Sequence, residues 1–229
     1  MFSDLIEKCS SFQKLAEDKK ISVKKNTNPV LQKLSDIEDF DDRIEFAKKQ
    51  WGKPLGEGSS RTVFGVNEDL IIKIAHNLKG QAQNTVEMDP KTQRSCTNNI
   101  VVADAEGKWV IMQNTKPLTK ERFKELVGFG FEQFTNALFY KFNNEESDRW
   151  PLPRDYEKIE GSQLFVCLAE LIFETDQQIG DVGKINSFRE LDGRVVLADY
   201  GLSREVYKKY YKSDSSSSTS HSPPKTSEK

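Results

Sequence analysis

The sequence contains few of the residues that build metal sites and disulfide-stabilised folds. His76 and His221 are the only histidines, which argues against histidine-based metal sites and against catalytic triads that need a histidine. The three cysteines, Cys9, Cys96 and Cys167, lie far apart and form no C-x-x-C pair. We therefore expect neither a zinc site nor a disulfide framework. Such cysteine usage is typical of a reducing compartment, so we expect a cytoplasmic protein.

A large net charge and long apolar runs are also missing. Lysine and arginine number 34 and aspartate and glutamate 36, which leaves a formal net charge of −2. This balance argues against a nucleic-acid partner that is held by bulk charge, and we expect none. No apolar run approaches the roughly 20 residues that cross a membrane, so we expect no membrane partner. Residues 1–7 lack a basic segment followed by an apolar stretch, and we expect no secretion signal.

The two ends of the chain differ in composition from its middle. Apolar residues at helical spacing predict an amphipathic helix over residues 2–18 and a second helical region within residues 29–50. We expect this helical extension, residues 1–50, to pack against the domain that follows; the alternative is that it binds a partner. Residues 213–229 are rich in serine and cannot bury a core, so we expect a disordered tail.

The middle of the chain changes from strand to helix patterns. The pattern predicts antiparallel strands within residues 55–75 and 100–113, with a short helix at 80–89 between them. From residue 119 the apolar spacing is helical, and residues 163–173 predict a buried helix. A β-hairpin is expected over residues 187–198, because an Asp-Gly pair separates two apolar runs. A chain of 229 residues suffices for two small lobes that share a cleft.

A cluster of polar residues near the C-terminus suggests phosphoryl transfer. Asp181 precedes Asn186 by five residues, and Asp199 begins the sequence Asp-Tyr-Gly. The first carboxylate can accept a proton from an attacking hydroxyl, while the amide and the second carboxylate can hold metal ions that bridge phosphates. Lys184, three residues after Asp181, can neutralise a phosphate during transfer.

Upstream residues add to this pattern. Gly56 and Gly58 permit a backbone loop close to a polyphosphate, although glycines often only form a turn. Lys73 lies within a strand of apolar residues, where a buried ammonium needs a partner. Glu87 on the following helix is the natural counter-ion, and the alternative places Lys73 on the solvent face of an edge strand. Val63 is positioned to pack over a nucleotide base.

Taken in chain order, these residues resemble the motifs of the protein-kinase superfamily over about residues 50–205. The resemblance implies an α+β, minimal two-lobed protein-kinase-like fold preceded by N-terminal helices. Its N-lobe, an antiparallel sheet plus a helix, would span residues 51–115, and a truncated, mostly helical C-lobe residues 116–212. The chain is similar in this respect to small, divergent kinase-like proteins of bacteriophage or bacterial genomes, so the compartment would be the host cytoplasm if it is phage-encoded.

The resemblance also implies ATP and Mg²⁺ as cofactors and a role for each residue. Catalysis would fall to Asp181 as the base, with Lys73 and Lys184 contacting phosphates and Asn186 and Asp199 as magnesium ligands. The nucleotide would be held by residues from the glycine loop to the segment that faces the adenine, namely Gly56, Gly58, Val63, Lys73, Glu87, Met112 and Gln113.

The chain departs from the kinase pattern at three places. Arg61 replaces the third glycine of the loop, where its side chain either clamps or obstructs phosphate. Ile179 and Gly180 stand where kinases carry His-Arg, so we do not expect activation by loop phosphorylation. Few residues follow Gly201 before the serine-rich tail, so the later helices that form a peptide platform are not expected.

The resulting functional hypothesis is an ATP- and Mg²⁺-dependent phosphotransferase, with a Ser/Thr protein kinase as its first form. The substrate would be a protein or a small molecule that carries a hydroxyl, and the tail, which contains Ser222 before Pro223, could be autophosphorylated. Two alternatives stay open. One is a pseudokinase or structural binding module that keeps the fold without turnover, and the other is a small-molecule kinase.

Overall fold

The computed structural model describes residues 28–142 and 152–212, and these form an α+β fold. The predicted helix over residues 2–18 and the serine-rich tail over residues 213–229 lie outside the described residues. The expected combination of an antiparallel sheet with several helices is confirmed. None of the helices in the described part of the chain is long and apolar enough to cross a membrane.

The first half of the described chain forms a five-stranded antiparallel sheet with the strand order β1-β2-β3-β5-β4. Two helices precede it and one helix crosses between β3 and β4. The elements are α1 (Pro29–Asp36), α2 (Phe40–Trp51), β1 (Gly56–Glu57), β2 (Arg61–Gly65), β3 (Leu70–Ala75), α3 (Leu78–Met88), β4 (Ile100–Ala103) and β5 (Trp109–Gln113).

The second half is mainly helical and carries a small three-stranded antiparallel sheet, β6-β7-β8. A short 3₁₀ turn, Ile185–Ser187, leads into β7. The elements are β6 (Lys116–Pro117), α4 (Lys120–Val127), α5 (Phe131–Phe142), α6 (Tyr156–Glu160), α7 (Gln163–Thr175), α8 (Ile179–Val182), β7 (Phe188–Leu191), β8 (Arg194–Leu197) and α9 (Arg204–Tyr210).

The second helical region, expected within residues 29–50, is divided into two helices. Asn28 caps α1 by accepting hydrogen bonds from the amides of Val30 and Leu31. Ile37 then adopts extended backbone, and the Asp39 side chain accepts from the first amides of α2. The Asp39 cap starts a new helix, because it satisfies donors that a continuous helix would have bonded internally.

Helices α1 and α2 cover one face of the five-stranded sheet. Leu31, Leu34 and Ala47 from the helices share a buried core with sheet residues, namely Phe64, Ile72, Ile74, Trp109 and Ile111. The indole of Trp109 donates a hydrogen bond of 3.0 Å to the Ser35 hydroxyl, which fixes α1 on β5. These two helices therefore pack against the domain, which confirms the expectation for residues 29–50 of the extension.

We predict that Leu34→Ala destabilises the protein by about 2–5 kcal/mol, because this side chain is fully buried under the sheet. The control is Leu78→Ala, since 63% of that leucine is exposed. Its expected effect is within about 0.5 kcal/mol. Urea unfolding of both variants measures the difference, and equal midpoints would mean that α1 does not dock as described.

The helical half has its own core, built largely from aromatic rings. Phe123 of α4 contacts three other phenylalanines edge to face, at centroid distances of 5.2–5.8 Å: Phe131, Phe134 and Phe188. Val195 and Leu197 of β8 join the same core. Because β8 is anchored in this way, the residues that follow it are held at a fixed place between the two cores.

Two cysteines correct an expectation from the sequence. Cys96 and Cys167 form a disulfide across 71 residues of sequence, with their Cα atoms 6.0 Å apart. The expectation of no disulfide was wrong, because the packing of α7 against the segment after α3 brings the two residues together and spacing alone does not show this. The cysteine-based reason for a reducing compartment therefore does not hold.

Candidate active site

Four charged side chains from four separate elements meet between the two halves of the molecule. Lys73 on β3 contacts both carboxylate oxygens of Glu87 on α3, at 3.1 and 3.2 Å. Arg61 on β2 contacts the same Glu87 at 2.8 Å through Nη1. Its Nη2 lies 2.5 Å from Oδ1 of Asp199, the second residue after β8. Two cations and two carboxylates therefore form one connected cluster, which we call the charged quartet.

The strand register explains why Lys73 faces the quartet. Its neighbours Ile72 and Ile74 point into the core under α1 and α2, so alternation directs Lys73 to the opposite face of the sheet. β3 is a central strand, paired with β2 and β5. Lys73 is only 7% exposed, which excludes the alternative of an edge-strand lysine on the solvent face.

Helix α3 supplies the other side of the quartet. Gly80, Gln83, Asn84 and Glu87 follow the i, i+3, i+4, i+7 spacing of one helix face, and all four are buried. The Asn77 side chain caps the helix by accepting from the Gly80 amide at 3.0 Å. This face gives Glu87 its position opposite β3.

The same helix face holds the turn that precedes β2. A Cβ atom at Gly80 would lie 2.0 Å from the carbonyl oxygen of Ser60, so only glycine permits this approach. Ser60 and Gln83 share a hydrogen bond of 2.5 Å, and Asn84 accepts from Arg61 at 3.2 Å. Arg61 is thus fixed by its backbone neighbours and by α3, not only by its ion pairs.

A third contact connects the sheet to the end of β8. The Lys73 ammonium donates a hydrogen bond of 2.7 Å to the carbonyl of Ala198, the residue before Asp199. Gly201 lies close to α3, since a Cβ there would be 2.6 Å from the Gln83 carbonyl oxygen. The ammonium at position 73 therefore lies against the residue before Asp199, and Glu87 and Arg61 connect it to the Asp199 carboxylate.

The pKa values within the quartet shift as burial and charge dictate. Burial lowers the pKa of Lys73, and the nearby Arg61 adds to this, whereas Glu87 opposes it. Loss of solvation works against ionisation of Asp199, yet the charges of Arg61 and Lys73 outweigh it and lower the pKa of this carboxyl. Because 58% of the Asp199 side chain is exposed, solvent screens this effect.

Asp181 and Lys184 form a second pair. They lie on and just after α8, and the Lys184 ammonium donates a hydrogen bond of 2.6 Å to Oδ1 of Asp181. This bond raises the pKa of Lys184, and weaker attraction from Asp199 adds to it. Lys184 is therefore within electrostatic range of Asp199.

Asn186 does not join either group. It lies in the 3₁₀ turn after α8 and its side chain is exposed. Within residues 28–142 and 152–212 it makes no hydrogen bond to Asp181 or Asp199. The predicted amide ligand is thus close in sequence to the candidate base, and no hydrogen bond connects it to the Asp199 carboxylate.

The predicted nucleotide loop lies at the edge of the sheet. Gly56 and Gly58 are exposed, and the Gly58 amide donates to the Arg61 carbonyl at 2.9 Å to close the turn. Val63 pairs with Lys73 across the sheet and shares its face. Leu55 was missed by the sequence reasoning; it is 64% exposed and lies against Gly65, on the same face as Val63. The signal in the sequence was a leucine directly before the first glycine.

The predicted adenine-contacting residues have different environments. Met112 is fully buried against Ile100 and Val110. Gln113 is exposed, and its backbone carbonyl accepts from the Asn98 side chain at 2.9 Å. A groove of about 510 Å³ borders Gln113, but its other lining residues lie away from the quartet: Glu68, Asp69, Asn114, Thr115, Lys116, Leu191 and Asp192. This groove does not mark the predicted nucleotide site.

The predicted metal ligands have oxygen donors, which suit a hard cation that is bound together with phosphates. Asp199 offers carboxylate oxygens and Asn186 an amide oxygen, and Mg²⁺ is commonly held by one or two such groups plus phosphate oxygens. No group of three or more His, Cys, Asp or Glu side chains that could hold a metal by themselves occurs in the described part of the chain. A magnesium ion here would depend on its nucleotide.

Comparison of the chain with protein-family models, with curated proteins and with solved structures found no match.

Proposed function

We propose that the protein is an ATP- and Mg²⁺-dependent phosphotransferase of compact, two-lobed protein-kinase-like fold that acts on a hydroxyl. One observation carries the proposal: Lys73 is buried between Glu87 and the carbonyl of Ala198, directly beside Asp199. A buried strand lysine that is paired with a helix carboxylate and lies near an exposed aspartate is the arrangement that presents a point charge to nucleotide phosphates in kinases.

The chain's own residues account for the steps. Lys73 and Arg61 supply positive charge where phosphate oxygens would lie, and Asp199 with Asn186 would hold Mg²⁺, which neutralises charge that develops on the phosphates. Leu55 and Val63 offer an apolar surface for the base on the same sheet face. Asp181 accepts the proton of the substrate hydroxyl, and Lys184 beside it stabilises the transferred phosphoryl group.

The proposal covers two classes of hydroxyl substrate. We keep a Ser/Thr side chain and the hydroxyl of a small molecule as the two candidates. After Gly201 the described chain contains a single short helix, Arg204–Tyr210, which packs against α3. The packing of this helix does not select between the two candidates, and both stay in the proposal.

A second candidate function has one observation in its favour. Arg61 occupies Oδ1 of Asp199 at 2.5 Å, so the carboxylate that would bind metal is already partly neutralised. A pseudokinase or structural module with the same fold would retain this contact permanently. Neither would transfer phosphate, and the structural module would also show no magnesium-dependent binding of ATP.

We expect ATP with Mg²⁺ to raise the melting temperature, because a ligand that binds only the native state stabilises it. At an ATP concentration of 100 times the dissociation constant, this gain in the free energy of unfolding is about 2.7 kcal/mol. Lys73→Met should reduce this gain without unfolding the protein, because Glu87 keeps Arg61 as its partner. Exposed Lys124→Met is the control.

Three outcomes of this experiment are distinct. A magnesium-dependent shift together with transfer of γ-phosphate supports the phosphotransferase. A shift without transfer to any hydroxyl acceptor or to the protein itself favours a nucleotide-binding pseudokinase. Neither shift nor transfer rejects the proposal in favour of the structural module.

A further inference from the structure

Arg61 uses its two terminal nitrogens on different carboxylates. Nη1 lies 2.8 Å from Glu87 and 3.2 Å from the Asn84 side chain, whereas Nη2 lies 2.5 Å from Oδ1 of Asp199. A guanidinium carries its charge at every accessible pH and presents its donors in a rigid fork. Arg61 is therefore a fixed cation that spans the distance between helix α3 and the residue that would bind metal.

The surroundings hold Arg61 in place before any ligand arrives. It is 8% exposed, and its strand pairs with β3 over five residues, from Arg61 opposite Ala75 to Gly65 opposite Ile71. Glu87 and Asp199 together raise the pKa of the guanidinium against the effect of its burial. A side chain that is ordered in advance loses little further entropy when it contacts a ligand.

The Asp199 carboxylate is engaged at one oxygen. Oδ1 accepts from Arg61, while 58% of the side chain is exposed. Kinases generally bind two Mg²⁺ ions through this aspartate and the catalytic-loop asparagine. The Arg61 guanidinium takes the space beside Oδ1, which leaves the second oxygen of Asp199 as the one open to a metal.

Neighbouring residues do not complete a second metal position. The described part of the chain has no group of three or more His, Cys, Asp or Glu side chains that could hold a metal ion by themselves. The positive charge in the cleft comes instead from Lys73 and Arg61, which are matched by Glu87 and Asp199. The quartet is neutral overall, so a polyphosphate would need an added cation, for which the second oxygen of Asp199 is the open ligand.

We infer that the site binds nucleotide with a single divalent ion, and that Arg61 takes the place of the second. The inference rests on the proposed function. Arg61 contacts the phosphates as a cation, and this is why an arginine replaces the third glycine of the usual loop. Obstruction of the site is then not the role of its side chain.

The test counts metal ions and does not require turnover. Mn²⁺ is titrated into the whole protein with saturating non-hydrolysable ATP analogue, and bound Mn²⁺ is counted by electron paramagnetic resonance and bound nucleotide by equilibrium dialysis. We expect one Mn²⁺ per bound nucleotide in the wild type. Arg61→Gln should weaken nucleotide binding by on the order of tenfold or more, because a charge-assisted contact to phosphate is lost.

Two further variants complete the design. Arg61→Lys keeps the charge without the fork, and we expect nucleotide affinity between those of the wild type and Arg61→Gln. Exposed Arg154→Gln is the matched control and should bind as the wild type does. Thermal unfolding shows whether each variant is folded. The number of Mn²⁺ ions per nucleotide is measured on the wild type, so it does not depend on any variant being folded.

Two results would overturn the inference while leaving the phosphotransferase intact. They are two Mn²⁺ ions per nucleotide in the wild type, or folded Arg61→Gln that binds nucleotide as tightly as the wild type. If the wild type binds no nucleotide with or without metal, the proposed function fails, and the inference fails with it.

Discussion

Glu87→Ala is expected to destabilise the protein by about 3–5 kcal/mol, which is the usual cost when one partner of a buried ion pair is removed. Glu87 is fully buried and is the partner of both Lys73 and Arg61. Without it, Arg61 keeps Asp199, but the Lys73 ammonium retains only the carbonyl of Ala198. An ammonium that is buried with a single neutral acceptor is strongly unfavourable.

The comparison with Lys73→Met makes this prediction specific. Removing Lys73 leaves Glu87 paired with Arg61 at 2.8 Å, so no buried charge is left alone. The methionine also fills a similar volume. We therefore expect Lys73→Met to be much less destabilising than Glu87→Ala, although both changes break the same ion pair.

Chemical denaturation measures both variants, with Glu170→Ala as the control. Glu170 contacts Arg94 on the surface with 46% of its side chain exposed, and such pairs contribute at most about 1 kcal/mol. A loss for Glu87→Ala no larger than that of the control would show that the quartet is open to water. Equal losses for Glu87→Ala and Lys73→Met would show that Arg61 does not compensate.

Features that depend on local sequence could be predicted. The helix expected at residues 80–89 occurs at Leu78–Met88 and ends before Pro90, where the chain cannot continue a helix. The hairpin turn was predicted from Asp192-Gly193, and both residues have the positive φ that such a turn requires. The pairing of Lys73 with Glu87 was predicted because a lysine within an apolar strand needs a counter-ion.

Features that depend on the packing of distant segments could not be predicted from the sequence. The sequence left open whether Arg61 clamps or obstructs, because its contact with Asp199 joins residues 138 positions apart. The disulfide between Cys96 and Cys167 is another such case, since it requires α7 to pack against the segment after α3. Hydrophobic periodicity gives the face of a helix but not the element that the face contacts.

The N-terminal helices contribute to the site without touching it. Helices α1 and α2 bury one face of the sheet, and α3 covers the opposite face, on which Lys73 lies. Arg43 of α2 is buried and donates to the carbonyls of Ile37 and Ala75, which ties the helix pair to the end of β3. Because β3 is packed on both faces, it has little freedom to shift. The charge of Lys73 is therefore held in place before any ligand binds.

Asp181→Asn is expected to lower phosphoryl transfer by roughly 10²–10⁴-fold, the usual contribution of a general base. The asparagine keeps the shape of the side chain but cannot take the proton of the attacking hydroxyl. It also removes the charge that orients Lys184, which now donates to Oδ1 at 2.6 Å. Nucleotide binding should persist, because Lys73, Arg61 and Asp199 are unchanged.

Asp176→Asn is the matched control for this measurement. Asp176 is 65% exposed and pairs with Arg204. It has a φ of 49°, which asparagine also tolerates. Rates of γ-phosphate transfer and the nucleotide-induced shift in melting temperature are compared in the two variants. If Asp181→Asn transfers phosphate as fast as Asp176→Asn, a different group takes the proton, and Lys184 would then orient the substrate without a basic partner. If Asp181→Asn instead loses nucleotide binding, the Asp181 carboxylate is needed for the nucleotide site. The quartet and the Asp181–Lys184 pair would then not have separate roles.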